Sequence, residues 1–154
     1  MHNKGNTIFV AGIIAALPGI ATFLAAPRFG ELGDKIGTHK IIIGGLISAI
    51  LFFFATAFVT NAVQLGFLRF LIGFSDACLF SQVQTMLAKN SSIQTTGRIF
   101  SWNQSAMYIG NIFGPLVGST VAGFFNYNVL FIVTAALVGI NLLLFHINVV
   151  KNIN

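Results

Sequence analysis

Two charged side chains, Arg69 and Asp76, interrupt an apolar run that extends from about Leu65 to Ala88. A charge near the centre of a membrane-crossing helix costs roughly 2.5–3.5 kcal/mol on insertion scales, so each such residue calls for a reason. The two positions are separated by two helical turns and therefore share one side of a helix. Gly73, Phe80 and Gln84 fall on the same stripe. At 1.5 Å per residue the two charges stand about 10 Å apart along the axis, too far for a direct ion pair along the backbone. A water or a residue of another helix could bridge them. One reading is a polar stripe lining a pathway through the membrane, with Asp76 as a proton or cation site. The other is an ion pair with a neighbouring helix, or Arg69 snorkelling toward the interface.

A second polar face lies further on, where Gln104, Tyr108, Asn111 and Pro115 share a side of one helix. These residues could contact a small-molecule substrate, or could hydrogen-bond between helices. Beside them Gly110, Gly114 and Gly118 recur every four residues. Such a ridge without side chains lets another helix approach closely, either as a static packing surface or as a rocking contact. Pro115 removes one backbone hydrogen bond and favours a kink. Cys78 lies in an apolar run and reads as a small filler. His146 sits near the last interface. Residues spaced for metal binding, a Ser-His-Asp set, a phosphate-cradling loop and a haem pattern are all lacking in the sequence. Enzyme activity, a metal and a cofactor therefore have no support.

The elements that must carry these residues follow from composition. Of 154 residues, 56% are hydrophobic and only 7% charged, with a mean hydropathy of +0.89. A soluble domain carries about a quarter charged residues, so lipid must be the solvent for most side chains here. Phe supplies 17 of the residues and suits a lipid-facing surface, since it has no polar atom to satisfy. About 20 apolar residues cross the hydrocarbon core. The expected fold is all-α and polytopic, with spans at about 7–26, 41–59, 65–88, 100–125 and 129–150. Pro18 and Gly19 predict a bend within the first. The segment from Pro27 to Lys40 reads as a charged loop holding five of the eleven charged residues, and Lys89 to Arg98 as a polar one. The connections near residues 60–64 and 126–128 are short.

The net charge of +5 does not indicate nucleic acid, because the basic residues are scattered singly rather than clustered. They read as topology signals. Arg28, Lys35, Lys40, Lys89, Arg98 and Lys151 collect on one side of the expected bundle and only Lys4 on the other. That bias places both charged connections and the C-terminus in the cytoplasm, with a multi-pass location in the cell membrane. The N-terminus then lies outside, which leads us to expect a further span before it.

The most specific pattern is Gly30-Glu31-Leu32-Gly33-Asp34-Lys35-Ile36-Gly37-Thr38-His39-Lys40. Its glycines permit a tight turn with positive φ. Asp34 is expected at the start of the next helix, against the positive end of the dipole. Lys35 and Lys40 can pair with carboxylates or anionic headgroups.

The spacing of Gly30, Leu32, Asp34, Lys35, Gly37 and Lys40 resembles the signature loop of the major facilitator superfamily. The segment from Leu68 to Gly73, with Arg69, resembles that family's R-x-x-x-G signature. The segment from Gly110 to Ser119, with Gly114, Pro115 and Gly118, resembles its antiporter signature, departing in Ser119 for the last glycine. The surrounding residues, such as Val83 to Leu87, Gly97 to Ser101 and Asn103 to Ser105, are similar to the C-terminal half of the multidrug-resistance members.

The resemblance runs from about Phe9 to Val150 and implies spans eight to twelve of a twelve-span exporter, most of one six-helix bundle. It implies proton-coupled export of drugs or small amphipathic molecules by alternating access. The partners implied are the lipid bilayer, a small-molecule substrate, protons, and an N-terminal half outside this sequence. The chain alone is then expected not to transport. Two alternatives stay open. One is a non-transporting membrane protein, either a remnant or half of a split transporter. The other is an uptake carrier for sugars or organic anions.

Overall fold

A computed structural model describes residues 2–150, with side chains from 8 to 149. Met1 and the stub Lys151–Asn154, with the topology residue Lys151, lie outside the described residues. Five helices follow one another: α1 (His2–Ile36), α2 (Thr38–Thr56), α3 (Ala62–Lys89), α4 (Thr96–Phe124) and α5 (Tyr127–Phe145). A π-helical turn, His146–Val150, extends α5. No strand occurs among the described residues. The fold is all-α, as the hydropathy pattern requires, because only closed hydrogen-bonding inside each segment satisfies a backbone in lipid.

Four segments are long and apolar enough to cross a membrane: Ile8–Ile36, Thr38–Thr56, Ala62–Lys89 and Tyr127–Val149. The fifth helix, α4, has 29 residues and hence ample length. Asn103, Gln104, Ser105 and Asn111 make it too polar to meet the same standard. Its polar side chains need water or protein partners rather than acyl chains.

The first helix corrects the expected loop. The chain stays helical through Pro27 and ends only at Ile36. Pro27 forfeits a single backbone bond, and the helix beyond it is held from outside. The ring of Phe29 packs edge-on against Phe74, with centroids 6.5 Å apart. The Phe29 carbonyl accepts a hydrogen bond from Gln82 Nε2. The break comes at Gly37, whose φ of 107° is the one positive value among the described residues. A side chain there would be strained. Gly30 and Gly33, by contrast, are helical.

The core is the contact of α1 with α3, which run parallel. Gly66 faces Leu17 and Ile14, Gly73 faces Pro18 and Ala21, and Gly33 faces Gln82. Small residues set this closeness. Ala21, Ala25 and Ala77 are buried, whereas Phe9, Phe23 and Phe67 point outward. Lipid-solvated helices gain nothing by hiding Phe from tails of equal apolarity, so backbone proximity and buried hydrogen bonds do the holding. The Thr22 hydroxyl lies 2.9 Å from the Pro18 carbonyl and 3.0 Å from the Gly73 carbonyl, able to donate to either. The α2 helix joins the pair through Ser48 and Ser75 hydroxyls at 2.9 Å and through the Cys78 thiol, which donates to the Ile41 carbonyl at 3.3 Å. Thus Cys78 is more than filler. The α5 helix packs on α2, while α4 meets only α3 and α5 and buries none of its described side chains.

Candidate functional site

The stripe on α3 meets α4 across a cleft of about 490 Å³. Asp76, Phe80 and Gln84 line one wall, and Asn103, Met107 and Asn111 the other. Asp76 is exposed and makes no hydrogen bond or ion pair with another described residue. The Oε1 atom of Gln84 is buried and has no partner. A carboxylate and three amides thus share one cavity with aromatic and thioether walls. Such a surface can solvate a polar group of a guest and grip its apolar part.

Of the six residues expected along a pathway, the structure gathers Asp76, Gln84 and Asn111. Gln104 and Tyr108 lie on the exposed side of α4. Arg69 lines a separate cleft toward α5, with its guanidinium 5.4 Å above the ring of Phe131. Gly73, on the same sequence stripe, is buried against α1 instead. The residues that reasoning from sequence passed over are Asn103 and Met107. Their helical spacing with Asn111 was a signal, because positions four apart share a face.

The glycine ridge of α4 is open rather than clasped. A Cβ on Gly110 or Gly114 would meet nothing within 4 Å, and one on Gly118 would meet only Leu130 Cδ1, at 3.7 Å. Gly114, Pro115 and Gly118 line the second cleft. No helix among those described presses on the ridge.

The charged segment at the other end of the bundle differs from expectation in the place of Asp34 as well. Asp34 does not begin α2. It lies in the last turn of α1, where the dipole disfavours a carboxylate. An ion pair with Lys89 Nζ, at 2.7 Å, offsets that placement. Lys35 and Lys40 are exposed and pair with no described carboxylate, and Leu32 lines a shallow apolar pocket with Phe29 and Phe74. Both members of the Asp34–Lys89 pair are more than half exposed. Asp34→Asn is therefore expected to cost less than about 1 kcal/mol, read as a melting shift of the purified chain that vanishes in high salt.

Behind this segment Gln82 is the deepest polar residue, fully buried. Its Nε2 bonds to the Phe29 carbonyl and its Oε1 has no partner. Gly33 makes room, since a Cβ there would collide with the Gln82 amide. Gln82 lies off the stripe of Arg69, Asp76 and Gln84, and no pattern in the sequence marked it. Among the described residues no cluster of His, Cys, Asp or Glu is placed to hold a metal.

Comparison with known proteins decides the family. Residues 1–152 match the family model described as Major Facilitator Superfamily. The chain belongs to the major facilitator superfamily. Its relatives include the multidrug resistance protein MdtG of Escherichia fergusonii, 48% identical over 141 residues, which are 92% of this chain and 35% of that protein. The MdtG protein of Klebsiella pneumoniae is 48% identical over 139 residues, or 90% of this chain and 34% of that one. The chain thus spans about a third of the length of the curated relatives it matches. As a superfamily member it is a multi-pass membrane protein of a transporter family, not of an enzyme family.

Proposed function

We propose that this chain supplies five helices of one bundle of a proton-coupled exporter of small amphipathic molecules. The observation that carries the reading is the cleft where Asp76, Gln84, Asn103 and Asn111 converge between apolar walls. Polar groups that lack partners inside a membrane protein mark a route for a substrate or proton. The relatives' printed name, multidrug resistance protein, fits cargo that is apolar with a polar handle.

In this reading the cleft is one wall of a midplane site. A second bundle, from the N-terminal part of the longer protein, supplies the other wall, and rocking of the two exposes the site to each side in turn. The open ridge of Gly110, Gly114 and Gly118 is then a rocking contact for that bundle. The protein sits in the cell membrane with the Gly30–Lys40 segment and the C-terminus in the cytoplasm, in keeping with the bias of basic residues. By itself the chain does not transport.

The test is proton-driven dye efflux from vesicles carrying the longer protein that contains this chain. Wild type should export the dye, and Asp76→Asn, which cannot take up or release a proton, should lose most of the proton-dependent efflux. Unchanged efflux would remove Asp76 from the mechanism. Efflux from vesicles holding only the 154-residue chain would refute the two-bundle reading.

A further inference from the structure

The second cleft, bounded by α2, α3, α4 and α5, is larger than the first, about 660 Å³. Arg69 is its only charged lining residue. The guanidinium carbon lies 5.4 Å from the centre of the Phe131 ring, and the N–H donors bond to no other described residue. An arginine edge is a planar fork shaped for two oxygens of a phosphate or carboxylate.

The chain has almost nothing to offer it. Of its three acids, Glu31 and Asp34 lie at the opposite end of the bundle, near the end of α1. Asp76 lies two turns further along α3, in the other cleft; it is near enough to feel the charge of Arg69 but forms no contact ion pair with it. No acid follows Asp76 in the sequence. The rest of the lining adds to the demand for an anion. Tyr127, the first residue of α5, also lines the cleft, so the start of that helix lies beside it. Ser119 and Thr134 add hydroxyls, while Phe53 and Phe131 form an apolar wall.

We propose that this cleft binds an anionic amphiphile, with its phosphate or carboxylate on the Arg69 fork and its hydrocarbon along Phe53 and Phe131. The proposal is independent of whether the chain takes part in export. Two sources share the chemistry: an acidic phospholipid of the surrounding bilayer, and a free single-chain amphiphile.

Titration of the purified full chain separates them. In nanodiscs of phosphatidylcholine, dodecyl phosphate is added and followed by native mass spectrometry, with dodecylphosphocholine as the zwitterionic comparison. In parallel, retention of phosphatidylglycerol over phosphatidylcholine is counted on the protein released from mixed nanodiscs. Stoichiometric binding of dodecyl phosphate alone points to a free amphiphile, and selective retention of phosphatidylglycerol points to the bilayer lipid. Either supports the site.

Arg69→Gln should weaken the preferred ligand about tenfold or more, as loss of a charge-assisted fork does, whereas Arg69→Lys should keep part of the affinity. Equal binding by Arg69→Gln and wild type overturns the proposal. If Arg69→Gln does not fold, wild type decides by itself, since absence of preference for both anionic ligands over their choline counterparts overturns it equally.

Discussion

Gly73→Leu is expected to undock α1 from α3 and to leave the chain unfolded or aggregated in mild detergent. Already a Cβ at this position would lie 2.6 Å from Pro18 Cα and 2.8 Å from Ala21 Cβ, closer than atoms can pack. The obstacle is backbone, which cannot swing aside as a flexible side chain would. The helices would have to separate, and the Thr22 hydroxyl would lose the Gly73 carbonyl at 3.0 Å. Overpacking a filled interior costs up to about 3 kcal/mol, and contact with backbone puts this case at that upper end. Helix propensity pushes the other way, since Leu is better than Gly in a helix by up to about 1 kcal/mol. Gly12→Leu isolates that effect. Gly12 is also in α1, and nothing lies within 4 Å of a Cβ built there. Thermal scanning in detergent should show a large loss for Gly73→Leu and none for Gly12→Leu. Equal melting of the two variants would mean that the α1–α3 contact does not hold the bundle.

Gln82→Ala should cost about 2 kcal/mol, from one interhelical hydrogen bond and the cavity left by a fully buried side chain. Its readout is local as well as global. The bond from Gln82 to the Phe29 carbonyl is what ties the last two turns of α1 to α3 from within the bundle. The exposed Asp34–Lys89 pair contributes little at the surface. Hydrogen exchange across residues 28–36 should therefore quicken in Gln82→Ala and stay near wild type in Asp34→Asn. A double-mutant cycle adds a sharper test. Gly33→Ala alone should destabilise to the extent that its methyl pushes the Gln82 amide off the Phe29 carbonyl, against a helix-propensity gain of up to about 1 kcal/mol. Combined with Gln82→Ala the methyl finds vacated room, so the double variant should lose clearly less than the sum of the two single losses. Additive losses would show that Gly33 and Gln82 do not share a contact.

These two positions show where sequence reasoning stops. Gly73 and Gly33 each belong to a recognisable pattern, Gly73 to the R-x-x-x-G segment and Gly33 to the signature segment, where the glycines read as turn residues. Which helix comes close to Gly73, and that Gly33 clears space rather than turns the chain, depends on a partner far away in sequence. The same applies to the stripe of Arg69, Asp76 and Gln84. Periodicity placed them on one face of α3. It could not foresee that α4 and α5 divide that face into two clefts, or that Gly73 would turn to α1. On α4 the side turned to α3 is that of Asn103, Met107 and Asn111, while Gln104 and Tyr108 are exposed.

Sequence by itself determined the class of the protein. Scarce charge, long apolar runs and the requirement that lipid-embedded backbone bond within its own segment leave only helices, and the spaced motifs tie those helices to one family. Tertiary structure alone decided where the first helix ends, because the Gln82 amide and the Phe74 ring hold residues beyond Pro27 in the helix until Gly37 releases it. It alone decided that Arg69 and Asp76 face different cavities. Helix formation is dictated by neighbours a few residues apart, whereas the rotation and closeness of packed helices are set by contacts between small residues that no local pattern contains.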